Sequence, residues 1–230
     1  MIEFVGALVA FLAAHVVPPL PPVRARLIGA LGHRGYIAGY SALSLALIAW
    51  VIAAALRAPF IPLWPAQAWQ AFVPLVAMPF AAWFLIGGLA EPNPLSISMR
   101  RDEAMRLRPM TAITRHPVLW GFLLWAASHI PPNGNLVAVV LFGGVVVFAL
   151  LGMARSDARA RGRLGDIEWR QLVKSTSVIP FAALVVGRAR MPNLLPLVVS
   201  GGAALVATAW FALEGHLLVI GIDPLARLGL

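Results

Sequence analysis

The stretch Arg115–Asn135, RHPVLWGFLLWAASHIPPNGN, organises the rest of this chain. Arg115-His116-Pro117 leads into an apolar run, which ends at His129 before a turn rich in Pro, Gly and Asn. Proline fits the first turn of a helix, where its missing N–H would have no partner, so Pro117 marks a helix start. The two histidines are thirteen residues apart, about 20 Å along a helix, so they cannot serve one site on a straight helix.

Composition places the chain among the polytopic membrane proteins. Of its 230 residues 60% are hydrophobic and 12% are charged, and the mean hydropathy is +0.85. A soluble domain carries about twice that charged fraction. We therefore predict one integral membrane domain over residues 1–230, with the lipid bilayer as its main partner.

Charge and cysteine content exclude several classes of function. The net charge is +9, and the basic residues lie in loops between apolar runs. That pattern is typical of a positive inner membrane face and not of nucleic-acid binding. The chain has no Cys, which excludes disulfides, iron–sulfur clusters, thiolate zinc sites and cysteine nucleophiles. Any metal or cofactor must be held by His, Met, carboxylate or backbone groups.

The apolar runs predict an all-α fold, a polytopic transmembrane bundle of six to seven helices with an amphipathic cytoplasmic segment at residues 155–174. Met1-Ile2-Glu3 lacks the basic residues of a signal peptide, so the first run is expected to remain as a helix. Residues 18–35 form a basic loop with helical apolar spacing, which favours a position along the membrane surface. The predicted spanning helices cover residues 2–17, 36–56, 71–90, 117–130, 136–153 and 194–220.

Loop charges predict the orientation. With seven crossings and the N-terminus outside, the inner loops carry 14 Lys and Arg residues and the outer loops carry 3. An excess of that size favours this arrangement. Residues 178–187 are short for a crossing, and they could re-enter the membrane from one side instead.

Polar groups within the apolar runs are the candidates for chemistry. His15, His129 and His216 lie within or at the ends of such runs, where an imidazole is costly unless it is hydrogen-bonded or binds a metal. Hydrogen bonding between helices is one reading, and ligation of haem iron from two helices is the other. Arg115 and His116 differ, because they lie with other arginines at the inner end of a helix. This pair could bind a phosphate or carboxylate, or act only as a cytoplasmic anchor.

Five blocks of the chain carry a resemblance to known proteins: Ala14-His15 with Arg24–Gly29, Thr114–Pro117, Trp125–His129 with Asn133–Asn135, Asp157–Arg159 with Leu164-Gly165, and Lys174–Phe181. They resemble the NnrU family and the related zeta-carotene isomerases. The resemblance implies a multi-pass haem b protein of the bacterial inner membrane, linked to denitrification and nitrogen-oxide metabolism and working with a redox partner. In the isomerases two histidines ligate haem, and the matching positions here are His15 and His129. A haem-dependent isomerase acting on a hydrophobic polyene is therefore the alternative.

The predicted topology leaves the ligand pair open. Two axial nitrogens lie about 4 Å apart, twice a metal–nitrogen bond of about 2 Å. Straight helices would place His15 near the inner face and His129 near the outer face, so this pair requires a tilted or re-entrant helix. His116 or His216, paired with His15, would agree better in depth.

A second resemblance is to the isoprenylcysteine carboxyl methyltransferases. It rests on Arg115-His116-Pro117, on the charged residues 157–169 and on Ile179-Pro180. It implies that Arg115 and His116 help to bind S-adenosylmethionine at the cytoplasmic face. The acidic pair that this family carries before its last segment is not clearly present here. Whether the chain is an enzyme stays open, and a non-catalytic assembly partner of a reductase is a further alternative.

Overall fold

The computed structural model describes residues 1–100 and 106–228 and is all-helical over that part of the chain, which confirms the predicted all-α class. Arg101, from the predicted basic loop, lies outside the described residues. Contacts divide the chain into two compact units, Met1–Pro62 (unit 1) and Leu63–Leu230 (unit 2). The prediction of a single domain is not tested by this division.

Unit 1 is a pair of packed helices, α1 (Ile2–Val16) and α2 (Pro21–Arg57). Pro21 is the first residue of α2, where a backbone N–H would have no partner within the helix, so its missing N–H costs nothing. Gly32 interrupts α2 with φ +70° and ψ +166°, a conformation that a residue with a Cβ rarely adopts. The segment predicted to lie along the membrane surface is thus helical from Pro21 onward, and a break separates it from the apolar part of α2.

Unit 2 holds the other described helices. A π-helical turn, Phe211–Gly215, joins its last two α-helices, and a short 3-10 turn, Ala226–Leu228, follows them. The helices, in chain order, are α3 (Ala68–Ala90), α4 (Pro109–Ile113), α5 (Pro117–Asn133), α6 (Leu136–Leu164), α7 (Asp166–Lys174), α8 (Ala182–Val185), α9 (Leu194–Trp210) and α10 (His216–Ile220).

Helix α5 is the central helix of unit 2 and packs between α3 and α6. Gly88, near the end of α3, lies against Pro117 at the start of α5. Leu119, early in α5, contacts Gly152 near the middle of α6. Gly134 makes the tight connection between α5 and α6 in the left-handed conformation, with φ +57°. The predicted antiparallel hairpin of these two helices is confirmed.

An apolar cluster joins α9 to α3 and α5. The Trp83 indole N–H donates to the Leu197 carbonyl at 3.0 Å and lies 3.1 Å from the Ser200 hydroxyl, so its polar atom is satisfied within the cluster. Trp83, Trp120, Leu124 and Leu184 pack against the cluster from partly buried positions. Its buried members are Phe84, Met110, Ile113 and Leu197.

Four of the described helices are long and apolar enough to cross a membrane. The predicted count of six to seven is not confirmed, because α1 has 15 residues and α5 has 17. A straight crossing of the hydrocarbon layer takes about 20 residues. The four helices cover Pro21–Arg57, Ala68–Ala90, Leu136–Leu164 and Leu194–Ile220.

Residues 178–187 do not form a crossing helix. They contain only α8, which is four residues long. The Phe181 N–H donates to the Ile113 carbonyl at 2.8 Å, so the segment lies against α4. Arg188 follows directly and therefore lies at the same end of unit 2 as the other basic loops. Seven crossings would have put it at the opposite end.

The charged residues 155–174 are not one separate amphipathic helix. Their first part continues α6 without interruption as far as Leu164. Gly165 then adopts φ +80°, which a helix cannot accommodate, and α7 begins at the next residue. The apolar part of α6 and its basic end therefore form one continuous helix, and this helix sets the position of Asp157.

We expect Gly121→Ala to destabilise unit 2. A Cβ at this position would lie 2.5 Å from the Leu85 Cγ and 2.9 Å from the Ala81 carbonyl oxygen, so α3 and α5 would have to separate. Overpacking of this kind lowers the free energy of unfolding by about 1–3 kcal/mol. Thermal unfolding in detergent measures the effect.

Gly143→Ala on α6 is the matched control. A Cβ there meets nothing within 4 Å, so only the gain in helix propensity of about 1 kcal/mol remains. Equal unfolding temperatures for the two variants would contradict the close packing of α3 on α5.

Candidate functional site

A buried polar cluster lies where α5 begins. His116 is the residue before α5 and is fully buried. Its Nδ1 lies 2.9 Å from the Ser96 hydroxyl oxygen, and its Nε2 lies 3.2 Å from Oδ1 of Asp157. Ser96 follows α3 and Asp157 belongs to α6, so three separate segments of unit 2 meet at one imidazole.

Arg115 is held by its neighbours on both the backbone and the side chain. Its backbone N–H donates to the Ser177 carbonyl at 2.8 Å, and its carbonyl accepts from the Asn93 amide at 3.0 Å. Its guanidinium lies 3.6 Å from Oδ2 of Asp157. The Asp157 carboxylate is therefore shared, one oxygen facing His116 and the other facing Arg115.

The segment after α7 seals this cluster from one side. The Thr114 hydroxyl donates to the Val178 carbonyl at 2.8 Å, and the Trp120 indole N–H donates to the same oxygen at 2.7 Å. Thr114 and Thr176 are fully buried. Thr114 and Trp120 thus hold the irregular backbone after α7 inside the protein, where each polar group must find a partner.

Three polar atoms of the cluster are buried and lack a well-directed hydrogen bond. They are Nε of Arg115, Nε2 of His116 and Oδ1 of Asp157. The last two are only 3.2 Å apart, but their angle is poor for a hydrogen bond. Burying a polar atom without a good hydrogen-bond partner costs free energy. A proton or ligand that completed the hydrogen bonds of this pair would therefore bind favourably.

Burial changes the acid–base properties at this end of unit 2. It lowers the pKa of Arg115, and Arg188 adds to the lowering while the Asp157 carboxylate opposes it. Burial also raises the pKa of Glu91, although the Met110 N–H at 2.8 Å and the nearby Arg108 act in the opposite direction. The positive charges of Arg115 and Arg188 therefore repel each other.

His129 lies at the other end of α5, in an aromatic setting. Its Nδ1 is 2.6 Å from the Trp125 carbonyl, one helical turn earlier. Its ring lies 5.3 Å from the Phe142 ring and 5.8 Å from the Trp125 ring. A neutral imidazole that donates from Nδ1 to a carbonyl carries its lone pair on Nε2, which is the arrangement of a metal-ligating histidine.

His15 repeats this arrangement in unit 1. Its Nδ1 lies 2.8 Å from the Phe11 carbonyl, again one turn earlier. The Phe11 and Tyr40 rings lie 4.1 Å and 5.8 Å from it. His15 and His129 thus belong to different units, and their pairing stays a prediction.

His216 follows the π-helical turn of unit 2 and has the same bonding pattern. Its Nδ1 lies 2.6 Å from the Ile222 carbonyl, and the Phe211 ring lies 5.5 Å away. Both nitrogens of His116, by contrast, face protein groups, which makes His116 the poorest metal ligand of the four.

The structure brings Arg115 and His116 together with two residues that sequence reasoning did not select, Ser96 and Asp157. In the sequence, Asp157 is marked only by its place in the block Asp157–Arg159, although it is one of 9 acidic residues in a basic chain. Nothing in the sequence marks Ser96. Over residues 1–100 and 106–228, no group of three or more His, Asp or Glu residues could hold a metal ion.

An open surface cavity of about 450 Å³ lies beside the end of α5 that carries His129. Its lining is mainly apolar, with Gln67 and Gln70 as the polar members, and the Trp64 indole N–H donates to the Pro131 carbonyl at 2.9 Å. The lining residues are Trp64, Pro65, Gln67, Trp69, Gln70, Ile130 and Pro131.

These features define an all-helical protein with helices long and apolar enough to cross a membrane and with a buried His–Asp–Arg cluster at one end of its larger unit. The chain belongs to the NnrU protein family, whose model matches residues 3–224. The family predicted from the sequence is thereby confirmed.

Two plant proteins are similar to part of the chain. The chain is 40% identical over 81 residues to a chloroplastic 15-cis-zeta-carotene isomerase of Zea mays and 39% identical over 81 residues to the one of Arabidopsis thaliana. Each match covers 35% of this chain and 22% of the plant protein. The chain thus spans about a fifth of the curated relatives that it matches. No solved structure gives a significant match.

We expect Asp157→Ala to destabilise unit 2, because it leaves Arg115 and His116 buried without their shared carboxylate. Loss of one partner from a largely buried polar contact costs about 1–3 kcal/mol. Asp166→Ala is the control, since Asp166 is exposed and pairs with Arg161 at the surface, where an ion pair contributes little. Thermal unfolding in detergent compares the two, and equal losses would argue against a structural role of the cluster.

Glu91 makes stability depend on pH. Its folded-state pKa lies above the ordinary value of 4.5, so its contribution to stability is complete below pH 4.5 and is lost as the pH rises through the folded-state pKa. Glu91→Gln keeps an acceptor for the Met110 N–H and removes the charge. We expect the variant to gain stability over the native chain as the pH rises, with no gain at low pH.

Unfolding temperatures measured at several values from about pH 4 to pH 8 test this. Glu168→Gln, at an exposed position of α7, serves as the control. A difference between Glu91→Gln and the native chain that does not vary with pH would refute the assignment.

Proposed function

We propose that this chain is a haem b protein of the bacterial inner membrane, with its N-terminus outside, and that it serves nitrogen-oxide metabolism together with a redox partner. One observation carries the proposal. His15 and His129 both direct Nδ1 to the carbonyl one turn earlier in their own helix, at 2.8 Å and 2.6 Å, which leaves Nε2 for a metal.

The side chains around these histidines suit a porphyrin. Phe11 and Tyr40 flank His15, and Trp125 and Phe142 flank His129. Aromatic and apolar surroundings exclude water from a haem and help to set its reduction potential. In this proposal His15 and His129 would hold the iron, and the bound haem would supply one-electron chemistry.

The distribution of basic residues supports the proposed orientation. Arg115 lies at the start of α5, Arg188 lies close to it, and Arg163 at the end of α6 donates to the Pro94 carbonyl after α3. The basic loops of unit 2 therefore gather at one end. A membrane protein keeps such an end on the cytoplasmic side. Arg115 and His116 are the proposed anion-binding groups of that face.

A second candidate function is cis–trans isomerisation of a polyene, and two observations favour it. The plant relatives are named as 15-cis-zeta-carotene isomerases. The apolar cavity of about 450 Å³ is lined by Ile130, the residue next to His129. An elongated apolar substrate could reach the neighbourhood of His129 from that cavity. The named relatives do not concern methyl transfer, so the S-adenosylmethionine reading stays a prediction from the sequence.

Absorption spectra of the full-length chain, purified in detergent from haem-replete cells, test the haem proposal. We expect a Soret band in the native protein and a loss of at least half of it in both His15→Ala and His129→Ala. His33→Ala is the matched control, because His33 is an exposed histidine of unit 1. Colourless native protein, or unchanged spectra in both variants, would refute haem ligation by this pair.

Feeding 15-cis-zeta-carotene to cells that express the chain tests the second candidate. We expect chromatograms of extracted pigments to show conversion to another geometric isomer of zeta-carotene, and none with His129→Ala. Conversion absent from cells whose protein shows a Soret band would set this activity aside while leaving haem binding intact.

A further inference from the structure

We propose that Ser96, His116 and Asp157 form a charge relay that makes Ser96 a nucleophile toward carboxylic esters of amphiphilic molecules. The relay lies at the basic end of unit 2, at the opposite end of α5 from His129. It is independent of haem and goes beyond the function proposed above.

The geometry is that of a nucleophile, a base and an orienting acid. The Ser96 oxygen lies 2.9 Å from Nδ1 of His116, and Nε2 of the same ring lies 3.2 Å from Oδ1 of Asp157. Both distances fall within the reach of about 2.6–3.2 Å that activated nucleophiles show. The poor angle at Nε2 does not exclude the relay, since such contacts often tighten only when substrate binds.

The side chains around His116 favour the tautomer that the relay requires. A carboxylate beside Nε2 favours the tautomer that carries its hydrogen there, so Nδ1 presents its lone pair to the Ser96 hydroxyl. Arg115 contacts the second oxygen of Asp157 at 3.6 Å and helps to keep that carboxylate in place. The ring of His116 is fully buried, which holds it in place between Ser96 and Asp157. The nitrogens exchange the roles they have in serine hydrolases, but either one can accept a proton.

Access is from the surface, because Ser96 is only partly buried. Its neighbours Ile97 and Met99 are 43% and 80% exposed, and they offer apolar contacts to a substrate. Arg163 donates to the Pro94 carbonyl, two residues before Ser96. Its positive charge can stabilise the oxyanion formed at an attacked carbonyl. Apolar side chains beside a cation at one end of an apolar bundle suit an ester-containing amphiphile.

The reaction that this arrangement supports is ester hydrolysis. The Ser96 oxygen bonds to the carbonyl carbon, and its proton passes to Nδ1 of His116. The bond from that carbon to the alcohol oxygen then breaks, and the alcohol leaves with the proton from Nδ1. Water, deprotonated by the same nitrogen, releases the acid from Ser96. The sum is ester plus water to acid plus alcohol, with no further reactant.

Labelling of the full-length protein by a fluorophosphonate probe tests the relay. We expect the probe to modify Ser96, identified by peptide mass spectrometry, and the protein to hydrolyse p-nitrophenyl butyrate. Ser96→Ala should abolish both. Ser98→Ala is the matched control, because Ser98 lies in the same segment but donates to the Glu91 carbonyl at 2.6 Å. It should retain both activities.

His116→Gln should slow the labelling of Ser96 by about 100-fold or more, as loss of a general base does. Asp157→Asn keeps a polar group beside Nε2 and should slow labelling while preserving the fold, so it carries the test should His116→Gln not fold. Each variant is compared by its elution from a sizing column and its unfolding temperature.

An unlabelled Ser96 in the folded native protein would overturn the proposal, as would labelling at the native rate in folded Asp157→Asn. His129→Ala separates this inference from haem binding. This variant should lose the Soret band and retain labelling of Ser96, whereas a variant that did not fold would lose the Soret band and the labelling together.

Discussion

Close contact between the backbones of α3 and α5 is the constraint on which unit 2 depends. In a lipid environment apolar side chains gain nothing by leaving lipid for protein, so packing and small residues hold helices together. Gly88 and Gly121 let the two helices approach until a Cβ at either position would overlap Pro117 or Leu85. This contact fixes α5 at the centre, and with it the two ends at which His116 and His129 lie.

The two ends of α5 differ in their chemistry. At its start, irregular segments after α3 and α7 fold onto the helix, and Ser, Thr and Asn side chains satisfy their backbone groups. At its end, His129 lies among the rings of Trp125 and Phe142. One helix of unit 2 therefore carries a polar cluster at its start and an aromatic cluster at its end.

The histidines illustrate why a shared residue type does not imply a shared role. His15, His129 and His216 each bond a backbone carbonyl through Nδ1, whereas both nitrogens of His116 face side chains. The first pattern leaves Nε2 able to ligate a metal, and the second leaves a ring suited to relaying a proton. Sequence position alone cannot distinguish them, because the difference depends on what lies across from each ring.

The sequence by itself determined the all-α class, the family, the start of α5 at Pro117 and the hairpin of α5 and α6. These follow from local signals, namely apolar runs, a proline at the first helical turn and a Pro/Gly turn. It did not determine that α6 continues through the charged residues to Leu164, since charge marks a surface and not a helix end. Only the tertiary structure decided that residues 178–187 fold back onto α4, and that Ser96 and Asp157 meet at His116. Those outcomes depend on hydrogen bonds between residues far apart in the chain, for which no local pattern exists.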